Sequence, residues 1–180
     1  MGKLFVISGS SGVGKGTVIK KFLEKHPEIK LSVSCTTRKP REGEKHGINY
    51  FFLEPDEFKT CIKNSEFLEW AEFSGNMYGT QKSYVEKCLS EGKNLILEID
   101  TKGALNVKSI KKEAVLIFIL PPSFEELEAR LRGRHSETEE AIQKRLESTK
   151  LEMENSKKFD YQIINDNVDN AVKELEKIIL

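Results

Sequence analysis

The sequence predicts an α/β protein of three layers with a mainly parallel central sheet, a small mixed α+β insertion and a helical lid. Three observations carry this. Short apolar runs alternate with helical stretches in the first and last thirds of the chain, as in strands joined by crossover helices. Residues 32–84 replace that rhythm with short strand-like pieces and glycine-bearing turns. Residues from Arg130 to about Lys150 are helical in pattern yet dense in charge.

Taken in order, Lys3–Ser8 is an apolar run ending in glycines, the pattern of a buried parallel strand. Val18, Ile19, Phe22 and Leu23 then recur at helical spacing until His26-Pro27 stops the helix. Within the insertion, Ser32–Thr36, Tyr50–Leu53 and Trp70–Phe73 read as strands, with one short helix over Pro55–Lys63. Asn94–Asp100 and Ala114–Leu120 repeat the buried-strand pattern, each followed by a helical stretch. Tyr161–Ile164 is the last strand, and Asp166-Asn167 cap a helix through Val172, Leu175 and Ile179. The polar break Gly133–Thr138 divides the charged segment into a helical hairpin with little apolar face, expected to behave as a mobile flap. These readings divide the chain into a core (1–31, 85–125 and 156–180), an insertion (32–84) and a lid (126–155).

With 180 residues the chain suits one domain with an insertion. Its 29 basic and 29 acidic side chains cancel, which argues against a sequence-independent grip on nucleic acid. No stretch approaches the roughly 18 apolar residues of a membrane span, and the amino terminus has no secretory pattern. Cys35, Cys61 and Cys88 fit neither a disulfide framework nor metal-ligand spacing, so reduced thiols in a cytoplasm are expected. His26, His46 and His135 are scattered, without a second ligand at metal-binding distance.

Gly9-Ser10-Ser11-Gly12-Val13-Gly14-Lys15-Gly16-Thr17 nearly fits the phosphate-binding loop. Glycines let successive backbone N–H groups converge on phosphate oxygens, the next helix adds its positive end, and Lys15 adds a full charge. Gly16 stands where a hydroxyl would meet the nucleotide's Mg2+, and the hydroxyl is displaced to Thr17. That order suits an ion held mostly by water. In Ser34-Cys-Thr-Thr-Arg38-Lys-Pro-Arg41-Glu-Gly43, two arginines three apart lie on a proline-stiffened loop, followed by Tyr50. Such a set can converge on a second phosphate, although solvated surface charge is the plainer reading of two arginines alone. Glu98 and Asp100, two apart on an expected strand, would share a face.

The order of motifs closely resembles guanylate kinase. It runs G-x-x-G-x-G-K-x-T, then S-x-x-T-T-R-x-P-R-x-G-E, then Glu69-Trp70-Ala-Glu-Phe73-Ser-Gly75-Asn-Met-Tyr78-Gly79-Thr80. Glu98-Ile-Asp100-x-x-Gly103, Pro121-Pro122-Ser123, Arg130-x-x-x-Arg134, the run from Glu137 and Arg145-Leu146 continue it to the final helix. The resemblance implies a P-loop nucleoside monophosphate kinase that transfers phosphate from ATP, with Mg2+, to GMP and dGMP.

By the same resemblance, the loop from Gly9 to Thr17 holds ATP, with Arg130 and Asn165 near the donor or its adenine. A turn-capping role for Asn165 stays open beside that. Arg38, Arg41, Tyr50 and Tyr78 match the residues that hold the GMP phosphate, and Gly79 lies in the same GMP-binding string. Ser34, Glu69, Thr80 and Asp100 match those that read guanine; Trp70 and Phe73 make a half-buried, hydrogen-bonded Glu69 plausible. Glu98 belongs to the GMP side or to the metal's surroundings, with Thr17 also near the metal; no residue is firmly assigned as a metal ligand. Lys15, Arg134 and Arg145 are the catalytic set, the two arginines closing over the transferring phosphoryl. The alternative is a non-catalytic guanylate-kinase-like binding module, which usually lacks the lysine-bearing loop and many of the phosphate arginines. Oligomeric state is not legible in the sequence.

Overall fold

A computed structural model describes residues 1–133 and 138–180. The apolar run Leu4–Gly9 forms β1, buried along nearly its whole length. Helix α1, Lys15–Lys25, buries Val18, Ile19 and Phe22 and ends at His26, before Pro27. Short strands β2 (Lys30–Leu31), β3 (Cys35–Thr36) and β4 (Phe51–Phe52) follow. Next come α2 (Pro55–Lys63), β5 (Phe67–Phe73), β6 (Asn76–Gln81) and α3 (Lys82–Ser90). The rest of the chain forms β7 (Leu95–Glu98), α4 (Thr101–Ile110), β8 (Val115–Leu120), α5 (Phe124–Arg132) and α6 (Glu139–Asn155). A 3-10 turn, β9 (Tyr161–Ile164) and α7 (Val168–Ile179) complete it.

Five strands make the central sheet in the order β2-β7-β1-β8-β9, with β2–β7 and β8–β9 parallel. This is the predicted α/β class with a mainly parallel sheet. The chain packs as two compact units: Met1–Phe5, Glu28–Glu98 and Lys102–Ala114, and Val6–Pro27, Ile99–Thr101 and Val115–Leu180.

The first unit contains the sheet β4-β3-β6-β5, in which β6 is antiparallel to both β3 and β5. Helix α2 is fixed at its start by a reciprocal capping box between Glu54 and Glu57, with Pro55 in the first turn. Its Phe58 is fully buried and packs on Phe67, ring centroids 4.6 Å apart. A Cβ at Gly79 would come within 2.9 Å of Phe67 and 3.0 Å of Phe58, so glycine there permits this packing. The expected Pro55–Lys63 helix is found. Strand β6 was not expected, and β5 starts at Phe67 rather than Trp70. Pairing between β5 and β6 extends both, a tertiary effect that local sequence does not register.

Strand β7 also differs from expectation, ending at Glu98 rather than Asp100. Helix α4 begins at Thr101, so Asp100 sits where the chain turns out of the sheet, and the same-face argument for Glu98 and Asp100 does not apply.

In the second unit, α7 buries Ala171, Val172, Leu175 and Ile179 and packs on α1. Asn167 caps α7 by accepting from the Asp169 N–H at 2.8 Å. Ser123 and Thr138 cap α5 and α6 in the same way. Helices α5 and α6, against expectation, do have an apolar face: Leu127 and Leu131 of α5 meet Ile142 and Leu146 of α6, with Phe124 against them. Residues four apart on each helix form a narrow stripe, too sparse to stand out against the surrounding charge. Arg132 bridges the same helices, binding Glu128 and Glu139.

All three cysteines are free. Burial pushes the Cys35 thiol up to about 11, which suits packing rather than reactivity. Among the described residues no helix is long and apolar enough to cross a membrane.

Candidate active site

Within the second unit, β1 delivers the chain into a loop whose shape depends on two left-handed glycines, Gly12 (φ 83°) and Gly14 (φ 89°). The Val13 N–H closes on the Ser10 carbonyl at 3.2 Å, tightening the loop. Gly14 is the N-cap of α1 without a side-chain cap, and the helix's first turn carries no acidic residue. The N-terminal N–H groups and the positive end of the helix dipole are therefore left for an anion. Lys15 opens the helix, while Gly16 and Thr17 lie exposed on its first turn.

Asn165 follows β9 and is buried. Its Nδ2 donates to the Val13 carbonyl at 2.8 Å, tying the end of the sheet to the loop. A Cβ on Gly14 would stand 2.8 Å from that nitrogen, so glycine is required by contact as well as by φ. Asn165 therefore buttresses the loop, and the helix cap is Asn167. The Asn165 Oδ1 and the Ser10 Oγ are buried without a hydrogen-bond partner among the described residues. Ser11 completes the loop, and Gly9 ends β1, where a Cβ would meet the Ile119 carbonyl at 2.7 Å. Thr17 offers one exposed neutral oxygen from the first turn of α1. That donor suits Mg2+ arriving with a nucleotide and keeping most of its water, rather than an all-protein cage.

Helix α6 carries the expected arginine. Arg145, Thr149 and Glu152 succeed one another at helical spacing and share a face. Thr149 is buried and its Oγ1 has no partner among the described residues. Burial pushes the Glu152 carboxyl up to about 7; Asp100 adds to the rise and Lys15 opposes it. Glu152 was absent from the sequence-derived site, although its spacing of seven from Arg145 would have suggested it. Arg134 lies outside the described residues, as does the side chain of Arg130, whose backbone belongs to α5.

The first unit holds a different constellation. Strands β5 and β6 pair Glu69 with Thr80, and Thr36 of β3 pairs with Tyr78 of β6. Tyr78 and Thr80 alternate onto one face with Glu69. Glu69 is only 6% exposed and its Oε1 accepts from the Thr80 hydroxyl at 2.9 Å. It is more buried than the half-buried position expected, while Trp70 and Phe73 are 42% and 40% exposed. Gly79 faces Phe58 and Phe67 beneath the sheet. Ser34 is buried, and its carbonyl accepts from the Phe51 N–H, anchoring β4 beside β3.

Arg38 stands over the Tyr50 ring, 5.4 Å from its centroid, and Tyr50 meets Tyr78 edge-on at 6.2 Å. Burial raises the Tyr50 phenol, with Glu98 and Tyr78 next in effect, so Glu98 belongs to this constellation. Glu44, another residue outside the sequence-derived list, brackets the arginine loop. Its Oε1 accepts from Arg38 Nη2 and its Oε2 from the Arg41 backbone N–H, both at 2.8 Å. The bond from Arg38 holds its carboxyl below the usual range and in turn raises the Arg38 guanidinium. Arg41 itself is exposed. The structure thus gathers Arg38, Tyr50, Tyr78 and Glu98 in one unit and the loop, Asp100 and Asn165 in the other.

The family model for guanylate kinase matches residues 1–180. A guanylate kinase of Clostridium perfringens (strain SM101 / Type A) is 55% identical over 179 residues, covering 99% of this chain and 83% of that protein. One from Prochlorococcus marinus (strain MIT 9313) is 52% identical over 178 residues, covering 99% and 94%. The crystal structure of guanylate kinase from Anaplasma phagocytophilum aligns with a TM-score of 0.82 at 33% identity, covering 99% of this chain and 84% of that one. With a phosphate-loop geometry, a buried carboxylate–hydroxyl pair and a match along its whole length, the chain belongs to the guanylate kinase family.

Proposed function

We propose that the protein transfers the terminal phosphoryl group of ATP to GMP, and to dGMP, giving ADP and GDP or dGDP. The buried Glu69–Thr80 pair carries the choice of base. Guanine presents N1–H and N2–H₂ donors that a carboxylate accepts, and an O6 that accepts from a hydroxyl; adenine reverses that edge. A buried carboxylate facing an acceptor would be left unsatisfied, and sites of this kind discriminate by roughly 10⁴-fold or more. Ser34 and Asp100 complete the guanine-reading set, with Gly79 in the same strand.

Arg38, Arg41 and the Tyr50 and Tyr78 phenols hold the acceptor phosphate. Lys15 and the N–H groups from Gly9 to Thr17 hold the donor's phosphates, with Arg130 and Asn165 on its adenosine side. Arg134 and Arg145 neutralise charge on the phosphoryl as it transfers. The attacking group is already an anion, so the reaction asks for in-line placement and charge neutralisation rather than a general base. Mg2+ arriving with the nucleotide, with Thr17 and Glu98 as its candidate neighbours, would supply further neutralisation of the donor's phosphates.

In this reading residues 32–84 serve as the GMP-binding piece, 126–155 as the lid, and the remainder as the nucleotide-binding core. A purely scaffolding role is disfavoured, since Lys15, Arg38, Arg41, Arg134 and Arg145 are all retained. We place the protein in the cytoplasm, on the free thiols, and assign it no nucleic-acid partner, on the balanced charge, and no membrane partner, on the lack of a long apolar stretch. The test is ADP formation from ATP and Mg2+ with GMP, dGMP, AMP, CMP and UMP in turn. Turnover with GMP and not AMP is expected; no turnover with any acceptor would restore the scaffold.

A further inference from the structure

The proposed function gives tasks to Arg38 and Tyr78 but none to Thr36 and Thr37, the two threonines that precede Arg38. Thr36 is fully buried on β3, the strand that lies between β4 and β6. Its register partners are Phe52 on one side and Tyr78 on the other. The Thr36 carbonyl accepts from the Leu53 N–H at 2.9 Å. Its hydroxyl donates to the Met77 carbonyl at 3.0 Å and accepts from the Arg38 N–H at 3.1 Å. One buried oxygen thus joins the backbone of an acceptor-site arginine to the residue before Tyr78.

Thr37 completes the junction. Facing residues of an antiparallel pair normally exchange two backbone bonds. Thr37 and Met77 keep the first, from the Thr37 N–H to the Met77 carbonyl at 3.0 Å. In the second, the Met77 N–H bonds the Thr37 hydroxyl at 2.9 Å. A side chain here takes the place of a backbone carbonyl. Strand β3 can therefore end at Thr36 and turn into the arginine loop without orphaning the Met77 N–H. Beyond the turn stands the Arg38 guanidinium over the Tyr50 ring, with Tyr50 against Tyr78.

We propose that Thr36 and Thr37 are positioning residues for the acceptor phosphate: their hydroxyls lock the start of the arginine loop to β6 and hold Arg38 and Tyr78 in register. They act through those two side chains rather than on the substrate itself. A guanidinium and a phenol converge on one phosphate only while their backbones keep their spacing. Guanine recognition rests instead on the Glu69–Thr80 bond between β5 and β6, in which neither threonine takes part.

This inference rests on the reading of Arg38, Tyr50 and Tyr78 as the acceptor-phosphate site, and the test separates the two. Thr36→Val keeps the buried shape and deletes the hydroxyl, whereas Thr36→Ser keeps the hydroxyl. The GMP KM is measured for each at saturating ATP, with guanosine, which carries the base but no phosphate, as a competitive inhibitor. Thr36→Val should raise the GMP KM roughly 3- to 10-fold, the range of one lost hydrogen bond. The guanosine Ki and the ATP KM should stay within about twofold, and Thr36→Ser should bring the GMP KM back to that margin. An unchanged GMP KM in Thr36→Val, no recovery in Thr36→Ser, or an equal rise in the guanosine Ki would overturn the proposal. The last result would mark the threonine as a general prop of the sheet. Should Thr36→Val fail to fold, Thr37→Val decides: the same selective rise is expected, and an unchanged GMP KM or an equal rise for guanosine counts against it. No turnover of GMP by the unsubstituted protein would instead sink the acceptor-site reading.

Discussion

Thr80 donates its hydroxyl to Glu69 across the β5–β6 ladder, and both side chains are withdrawn from water. A buried carboxylate is costly unless every donor it meets is well placed. In the proposed function this carboxylate also meets the N–H donors of guanine. Removing one hydrogen bond to a charged group costs about 1.5–3 kcal/mol. Glu69→Gln should accordingly raise the GMP KM roughly 10- to 100-fold and leave the ATP KM within about twofold. Steady-state kinetics with each substrate varied would decide; an unchanged GMP KM removes Glu69 from guanine recognition.

Glu44 bonds Arg38 with one oxygen and the Arg41 N–H with the other. Gln can accept only once in that geometry and points an NH₂ at a donor. Glu44→Gln should raise the GMP KM several-fold, with an order of magnitude as the outer expectation. The bond from Arg38 depresses the Glu44 carboxyl, so its contribution is present above the ordinary carboxylate range and is lost as pH falls through the lowered value. Titration of GMP itself cancels between the two proteins. The ratio of their KM values should therefore stay constant from about pH 8 to 5, and a ratio collapsing toward one by pH 5 would place the Glu44 titration higher than argued.

Lys15→Ala removes the one full charge at the loop and should lower kcat by roughly 10²- to 10³-fold. Thermal melting should change little, since this half-buried side chain is not part of the apolar core. A variant that melts early would show that the lysine is structural instead.

Asn165→Ala frees the Val13 carbonyl. Loss of one buried hydrogen bond, worth about 1 kcal/mol, should raise the ATP KM several-fold without moving the GMP KM. Gly14→Ala should be worse, because it strains φ and meets Asn165 Nδ2. If the double variant G14A/N165A binds ATP better than G14A alone, the contact is the cause.

Leu146→Ala opens the small core shared by α5 and α6. Buried leucine truncations cost about 2–5 kcal/mol, here concentrated in the lid. The α5–α6 amides should lose hydrogen-exchange protection while the amides of β1, β7 and β8 keep theirs. Uniform loss would show that the lid is not a separate cooperative piece.

The α/β class, the phosphate loop, the helix boundaries set by Pro27, Pro55 and Asn167, and the order of site motifs are all legible in the residues alone. Each rests on local chemistry: glycine at positive φ, proline's missing N–H, a capping amide, or an apolar run too continuous for a surface strand. The rest depends on packing between distant segments. Strand β6 exists because β3 and β5 flank it, and Asp100 leaves the sheet because α4 begins at Thr101. Glu69 is buried by the sheet's face while Trp70 beside it is exposed. The apolar seam between α5 and α6 and the Glu44 bracket join residues that are individually ordinary surface types. Their roles come from desolvation and from partners brought close by packing, and neither quantity is a property of a residue in its own stretch of chain.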